Sequence, residues 1–482
     1  MSRASSHLHT DLYIGGRWRK ASSGERIPVL DPASGEVFTE VASAGVEDGL
    51  SAVASAADAL PAWSRTSPRE RGEILRRTFD IMTQRQQELA ELIVRENGKA
   101  MSDAVSEVRY AAEFFRWYAE EAVRANGEIA RAPSGTNRIL VLLQPIGVSV
   151  LVTPWNFPAA MATRKIGPAL AAGCTVVLKP ASDTPLTALA IAAVLEEAGV
   201  PAGVVNVIPS ARSGKVVGAM LHDPRVRKLS FTGSTEVGRV LLAQAADCVV
   251  SSSMELGGNA PFLVFDDADV EAAVQGAMIA KMRNGGQACT AANRFLVQKG
   301  IAPAFVQRFS EAMRAVKVGN GLESGVGLGP LINAAAVNSV QELVDETVGA
   351  GARALTGGRR MDGPGYFYPP TVLDRVPRSA RILTQEIFGP VAPVIEFEDE
   401  DEAIELANST EYGLVSYLYT SDLRRGLRVS ERLEAGMVGL NRGVVSDPAA
   451  PFGGVKQSGL GREGSHDGLL EFLEKKYVAV DW

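Results

Sequence analysis

The chain has 482 residues, and 49 Lys+Arg against 56 Asp+Glu give a net charge of −7. Hydrophobic residues at 46% and charged residues at 22% are the proportions of a folded globular protein, which excludes extended disorder. Mild acidity argues against a general nucleic-acid surface, and no run approaches the roughly 18 apolar residues of a membrane span. Cys174, Cys248 and Cys289 are far apart and odd in number, so neither a disulfide framework nor a zinc pair is expected. His7, His9, His222 and His466 make no metal-binding pattern, and no metal is expected. The leader MSRASSHLHT lacks the apolar centre of a secretion signal, which makes a reducing cytoplasm the expectation.

The chain opens on a short extended stretch, DLYIGGRW, and then reads as mainly helical. Ser67-Pro68-Arg69-Glu70 is a helix start, and apolar residues from Ile74 to Ile93 keep helical spacing until Asn97-Gly98. A second helix is predicted over 102–124. From about 139 the pattern alternates: strands at 147–154, 174–180, 204–208 and 226–232, with helices at 184–199 and 234–246. Strands separated by helices predict a parallel, doubly wound α/β sheet, whose ligands sit beyond the carboxyl ends of the strands. A second α/β region begins near 256, with a strand at 261–265, a helix at 269–282, acid-rich helix signals at 399–414 and a glycine-rich loop at 449–464.

Three segments carry chemistry. Cys289 follows two glycines in N-G-G-Q-A-C-T, where close backbone approach could activate a thiol, although an isolated cysteine is as readily an inert buried one. Glu255 lies at a strand end before Gly257 and Gly258; burial would make it a general base, whereas exposure would leave an ordinary solvated acid. F-T-G-S-T-E-V-G (231–238) follows a strand and opens a helix, a setting that holds phosphate, but it matches neither common nucleotide fingerprint.

Together these segments resemble the aldehyde dehydrogenase superfamily. The resemblance rests on TPWNFP (153–158), VLKPAS (177–182), FTGSTEVG (231–238), ELGGNAPF (255–262), GGQACTAANR (285–294), EIFGPV (386–391) and PFGGVKQSGLGREG (451–464), in order over nearly the whole chain. It implies an aldehyde-dehydrogenase-like fold of two doubly wound parallel-sheet domains plus a β-hairpin oligomerisation arm. The implied divisions are a cofactor-binding domain at 1–123 and 144–254, and a catalytic domain at 255–445. Oligomerisation segments fall at 124–143 and 466–482, and an active-site return loop at 446–465. Cys289 takes the nucleophile's position, Glu255 the general base's, and Asn156 that of an oxyanion donor. Lys179 and Ser182 match the adenosine-ribose site, Gly233 and Ser234 the pyrophosphate site, and Glu386 the nicotinamide-ribose site. Pro154, Trp155, Leu256 and Phe388 line the cofactor cleft. Many NAD-preferring relatives carry a glutamate at the position of Ser182, so the expected cofactor is NADP, with NAD also possible. Arg212 and Lys215 lie in the next loop, most simply as a solvated pair.

Within that superfamily, MATRKIGPALAAGC (161–174), FDDAD (265–269) and KMRN (281–284) look like succinate-semialdehyde dehydrogenases. In that subgroup two arginines and a serine hold the substrate's distal carboxylate, matching Arg164, Arg283 and Ser446. The alternatives are a helix-surface ion pair for Arg164 and an acidic partner for Arg283. Two departures stand out. Ala291 occupies the position of a second, disulfide-forming cysteine in many relatives, and GVVSDPAA (443–450) differs from the usual pocket loop. Glutarate semialdehyde or an aromatic aldehyde is therefore the alternative substrate. A homodimer or homotetramer is expected, with no nucleic-acid or membrane partner.

Overall fold

The computed structural model describes residues 8–481, which leaves His7 outside. His9 stacks on Trp18 with ring centroids 3.9 Å apart. Five strands, Val148–Val152, Thr175–Lys179, Val205–Val207, Val226–Thr232 and Ser251–Glu255, form the parallel heart of an eight-stranded sheet. The first two are buried along their whole length, which is why they read as continuous apolar runs rather than alternating ones.

The chain winds outward from Val148–Val152 through Thr175–Lys179 to Val205–Val207. It then crosses back to lay Val226–Thr232 and Ser251–Glu255 on the other side. The direction of winding therefore reverses between Val148–Val152 and Val226–Thr232. A crevice opens beyond the carboxyl ends of the strands at such a reversal. Trp155 and Asn156 follow the first strand, Lys179 ends the second, Gly233 follows Thr232, and Glu255 ends the last. On the outer edges, Leu12–Ile14 pairs antiparallel with Val205–Val207, and Gly459–Leu460 pairs antiparallel with Ser251–Glu255.

A second sheet of seven strands runs Arg353–Thr356, Thr371–Asp374, Val391–Phe397, Ala292–Gln298, Ala260–Val264, Val415–Tyr419, Met437–Leu440. All neighbours in it are parallel except the first pair. A third, antiparallel sheet joins Glu128–Arg131, Arg138–Pro145 and the C-terminal strand Leu473–Val480. Its outer strand is exposed throughout, with Ile129 73% exposed.

Ser67 caps its helix as read from the sequence: its Oγ accepts the Glu70 N–H at 3.2 Å, and Pro68 takes the first helical position. The apolar run that follows is two helices rather than one, Pro68–Gln84 and Gln86–Asn97. Arg85 (φ −97°, ψ 17°) interrupts the ladder, and a one-residue break leaves the spacing of apolar residues almost unchanged. The acid-rich helix is shorter than its signals, Glu400–Asn408, and the chain after it turns into a two-residue strand at Tyr412. Cys248 is exposed at a helix end. Among the described residues no helix is long and apolar enough to cross a membrane.

Candidate active site

A cavity of about 450 Å³ lies between the two large sheets. It runs from Lys179, Ser182 and Ser213 at one end, past Gly233, Ser234, Leu256, Glu386 and Phe388, to Cys289, Arg164, Arg283 and Ser446. Pro154, Trp155 and Asn156 line it as well. A second cavity of about 680 Å³ shares Tyr110, Phe157, Arg283 and Ser446 with the first, so these side chains stand where two openings meet.

Cys289 is delivered by an unusual turn. Asn284, Gly285 and Gly286 are successively left-handed, at φ 51°, 62° and 75°. A Cβ on Gly286 would sit 2.2 Å from the Gly389 carbonyl, so only glycine passes there. Gly258 packs equally closely on the Cys289 carbonyl, where a Cβ would again come within 2.2 Å. The Asn284 side chain donates to the Asn156 carbonyl at 2.8 Å and to the Gln287 carbonyl at 3.1 Å. The Asn156 amide donates to that same Gln287 carbonyl at 3.0 Å, which ties the strand-end asparagine to the cysteine turn. One amide hydrogen of Asn156 is thus engaged, and the second remains for a ligand oxygen. Burial pushes the Cys289 thiol up to about 12, with Arg164 working against the shift. In this state the thiol is protonated at neutral pH.

Beneath these groups lies a buried ion-pair layer. Lys99 pairs with Glu107 and donates to the Asn156 carbonyl at 2.8 Å. Glu107 also accepts the Ala159 N–H at 2.8 Å, which caps the helix Pro158–Ala172. That helix carries Arg164 and Lys165 inward, and both pair with Glu463 of the glycine-rich loop. Arg164 is 1% exposed and lies over the Phe452 ring at 4.2 Å, so it is a wall of the cavity and not a helix-surface residue. Arg283 has no carboxylate in ion-pair range among the described residues. It donates to the Ser446 hydroxyl at 3.3 Å and faces the Phe157 ring at 4.8 Å.

Glu255 is 2% exposed, and neither carboxylate oxygen has a hydrogen-bond partner. It does not line the main cavity. Its Oε1 lies 2.9 Å from where a Cβ on Gly453 would be, under the glycine-rich loop. Burial, reinforced by the charge of Glu463, holds its pKa well above the ordinary carboxylate range.

At the far end, burial brings the Lys179 ammonium down to about 8, opposed by Asp183. Ser234 caps the helix Thr235–Asp247 by accepting the Val237 N–H at 3.4 Å. A Cβ on Gly233 would come within 2.4 Å of the Phe231 ring, so the chain there stays slim in front of a helix N-terminus, as a phosphate cradle requires. Phe388 is left-handed at φ 52° and meets the Trp155 ring edge-on at 5.4 Å. Glu386 accepts the Gly258 N–H at 3.2 Å, and burial raises its pKa to about 8. A buried lysine, a slim glycine before a helix terminus and an acceptor carboxylate together suit a dinucleotide.

The sequence profile of the aldehyde dehydrogenase family matches residues 18–478. The chain belongs to the aldehyde dehydrogenase family. It is 55% identical over 444 residues to a succinate-semialdehyde dehydrogenase of Paenarthrobacter nicotinovorans, covering 92% of this chain and 99% of the relative. It is 50% identical to a glutarate-semialdehyde dehydrogenase of Pseudomonas aeruginosa, covering 97% of each. A solved E. coli NADP-dependent enzyme superposes with a TM-score of 0.97 at 47% identity, covering 98% of each chain. The two-sheet architecture is therefore an aldehyde dehydrogenase fold.

Of the residues matched in the sequence to the nucleophile, base, oxyanion, cofactor and substrate positions, all line the main cavity of this aldehyde dehydrogenase except Glu255. Arg212 and Lys215 stay outside it: Arg212 is exposed and paired with Glu25, and Lys215 is exposed. The sequence reading missed Lys99, Glu107, Asn284, Gln287 and Glu463, which hold the site from behind. Their partners are mostly 50 to 300 positions away, as with Lys99 and Asn156 at 57 and Lys165 and Glu463 at 298, so no local pattern marks them.

Proposed function

We propose that this aldehyde dehydrogenase oxidises succinate semialdehyde to succinate, with NADP as the preferred acceptor and NAD as the other. The observation that carries the reading is the guanidinium of Arg283, beside Ser446 and with no carboxylate in ion-pair range among the described residues, in the wall of the cavity that contains Cys289. An arginine in such a place clamps a carboxylate and aims the rest of the molecule at the thiol. Arg164, fixed by Glu463, adds a second positive edge.

Cys289 loses its proton and attacks the aldehyde carbon, giving a thiohemiacetal whose oxyanion is met by the free Asn156 amide hydrogen. A nicotinamide held along the cavity would supply the hydride acceptor, which leaves Cys289 as a thioester. Glu255 then deprotonates the water that opens the Cys289 thioester. Lys179 and Ser182 would hold the adenosine ribose, Gly233 and Ser234 the pyrophosphate, and Glu386 the nicotinamide ribose. Pro154, Trp155, Leu256 and Phe388 would form the walls beside the rings. The lobe 1–123 with 144–254 would be the cofactor domain and 255–445 the catalytic one.

Glutarate semialdehyde, one methylene longer, is the second reading, favoured by the similarity to the Pseudomonas aeruginosa glutarate-semialdehyde dehydrogenase. For assembly we propose a dimer or tetramer joined through the exposed arm at 124–143 and 466–482, within a cytoplasmic setting. An unpaired outer strand with exposed Ile129 needs a covering partner. Light scattering that returned a monomer mass would contradict it.

The test of the substrate reading is Arg283→Ala, assayed with succinate semialdehyde and with butanal. Loss of a charged hydrogen-bond donor should lower the ratio of the two kcat/KM values by roughly 10- to 100-fold. An equal effect on both aldehydes overturns the clamp.

A further inference from the structure

The end of the cavity remote from Cys289 is lined by Lys179, Ser182, Asp183, Ser213 and Gly214. Lys179 is buried at its strand end, and its Nζ donates to the Ser213 Oγ at 2.7 Å. The Ser213 hydroxyl spends its own hydrogen on the Ser210 carbonyl at 3.0 Å. Ser210 is anchored in turn, donating through its Oγ to the Ala44 carbonyl at 2.8 Å. The fixed donor directions therefore turn the Ser213 oxygen to the lysine as an acceptor and set where its ammonium stands.

Among the described residues, no second cation lines that end. Arg212, one residue before Ser213, is turned onto Glu25, and Lys215 is exposed away from the cavity. The one acid there, Asp183, accepts from the Asn333 side chain at 3.4 Å. Lys179 must therefore meet any phosphate on the adenosine ribose alone among the cations, and its placement relative to Ser182 decides how well it does so. An ammonium is a point charge whose attraction falls with distance, unlike a guanidinium fork that tolerates some displacement.

We propose that Ser213 is a positioning residue that determines cofactor specificity: it fixes the Lys179 ammonium beside Ser182 so that the pair accepts the 2′-phosphate of NADP. The inference rests on the reading that a dinucleotide lies along this cavity with its adenosine at Lys179. Ser213 makes no claim on the chemistry at Cys289, so its effect belongs in KM rather than kcat.

The experiment compares Ser213→Ala, Ser213→Thr and Lys179→Met with the parent enzyme, using NADP and NAD at saturating aldehyde. Loss of one hydrogen bond to a charged group should lower the NADP-to-NAD ratio of kcat/KM roughly 10-fold in S213A, through KM for NADP. S213T, which keeps the hydroxyl, should restore most of that ratio. An unchanged ratio in S213A, or an equal loss with both cofactors, overturns the specificity role. If K179M leaves both cofactor KM values unchanged, the adenosine placement itself fails, and the inference fails with it.

Discussion

At the scale of single residues, the site is a set of enclosed groups whose pKa values are moved by burial from their ordinary ranges. Cys289 is a protonated thiol and Glu255 an unpartnered carboxyl, both because burial disfavours the anion. If Glu255 serves only the second half of the reaction, Glu255→Gln should leave a single-turnover burst of reduced cofactor and depress the steady rate. General-base catalysis sets that depression at roughly 100- to 10,000-fold. Rapid-mixing absorbance at 340 nm reads both phases, and loss of the burst would place Glu255 in the acylation step as well. Lys179 supplies a pH signature. With its pKa lowered to about 8 in the free enzyme, it is charged below that value and neutral above it. The kcat/KM for NADP should therefore bend downward as pH rises through about 8, and K179M should lose the bend. A parent profile that stays flat to pH 9.5 would contradict the assignment.

At the scale of elements, the site depends on a layer of contacts behind the cavity. The Lys99–Glu107 pair is wholly buried and reaches both the Asn156 carbonyl and the N-terminus of the helix Pro158–Ala172. Removing one partner of a buried pair leaves an uncompensated charge, so Glu107→Gln should cost about 3–5 kcal/mol of stability and lower Tm in calorimetry. A Tm within a degree of the parent would show that the layer is dispensable. The sequence made the front of the site legible because its residues are close together, Gly285, Gly286 and Cys289 in one turn, and Lys179 and Ser182 at and just beyond a strand end. It could not show that Glu255 lies beneath Gly453, since side-chain direction at a strand end depends on the loop that covers it. Nor could it show the break at Arg85, where two helices keep one apolar spacing.

At the scale of the molecule, two parallel sheets face each other across a cavity long enough to run from Lys179 to Arg283. The strands of the first sheet were readable as apolar runs alternating with helices, whereas the strand order of both sheets and the packing of Gly258 against the Cys289 carbonyl were not. The return of the chain through Gly459–Leu460 to the edge of the first sheet stitches the glycine-rich loop over Glu255. That return also carries Glu463 to Arg164 and Lys165, so Arg164 and Glu255 share one support. On the function proposed above, this frame converts an acidic aldehyde to a diacid with a nicotinamide acceptor. The direct measurement is initial rates with succinate semialdehyde, with NADP and NAD at matched concentrations and succinate counted against reduced cofactor. The account predicts one succinate for each cofactor reduced and faster turnover with NADP at limiting cofactor. No reduction of either cofactor with this substrate, alongside ready oxidation of butanal, would contradict it.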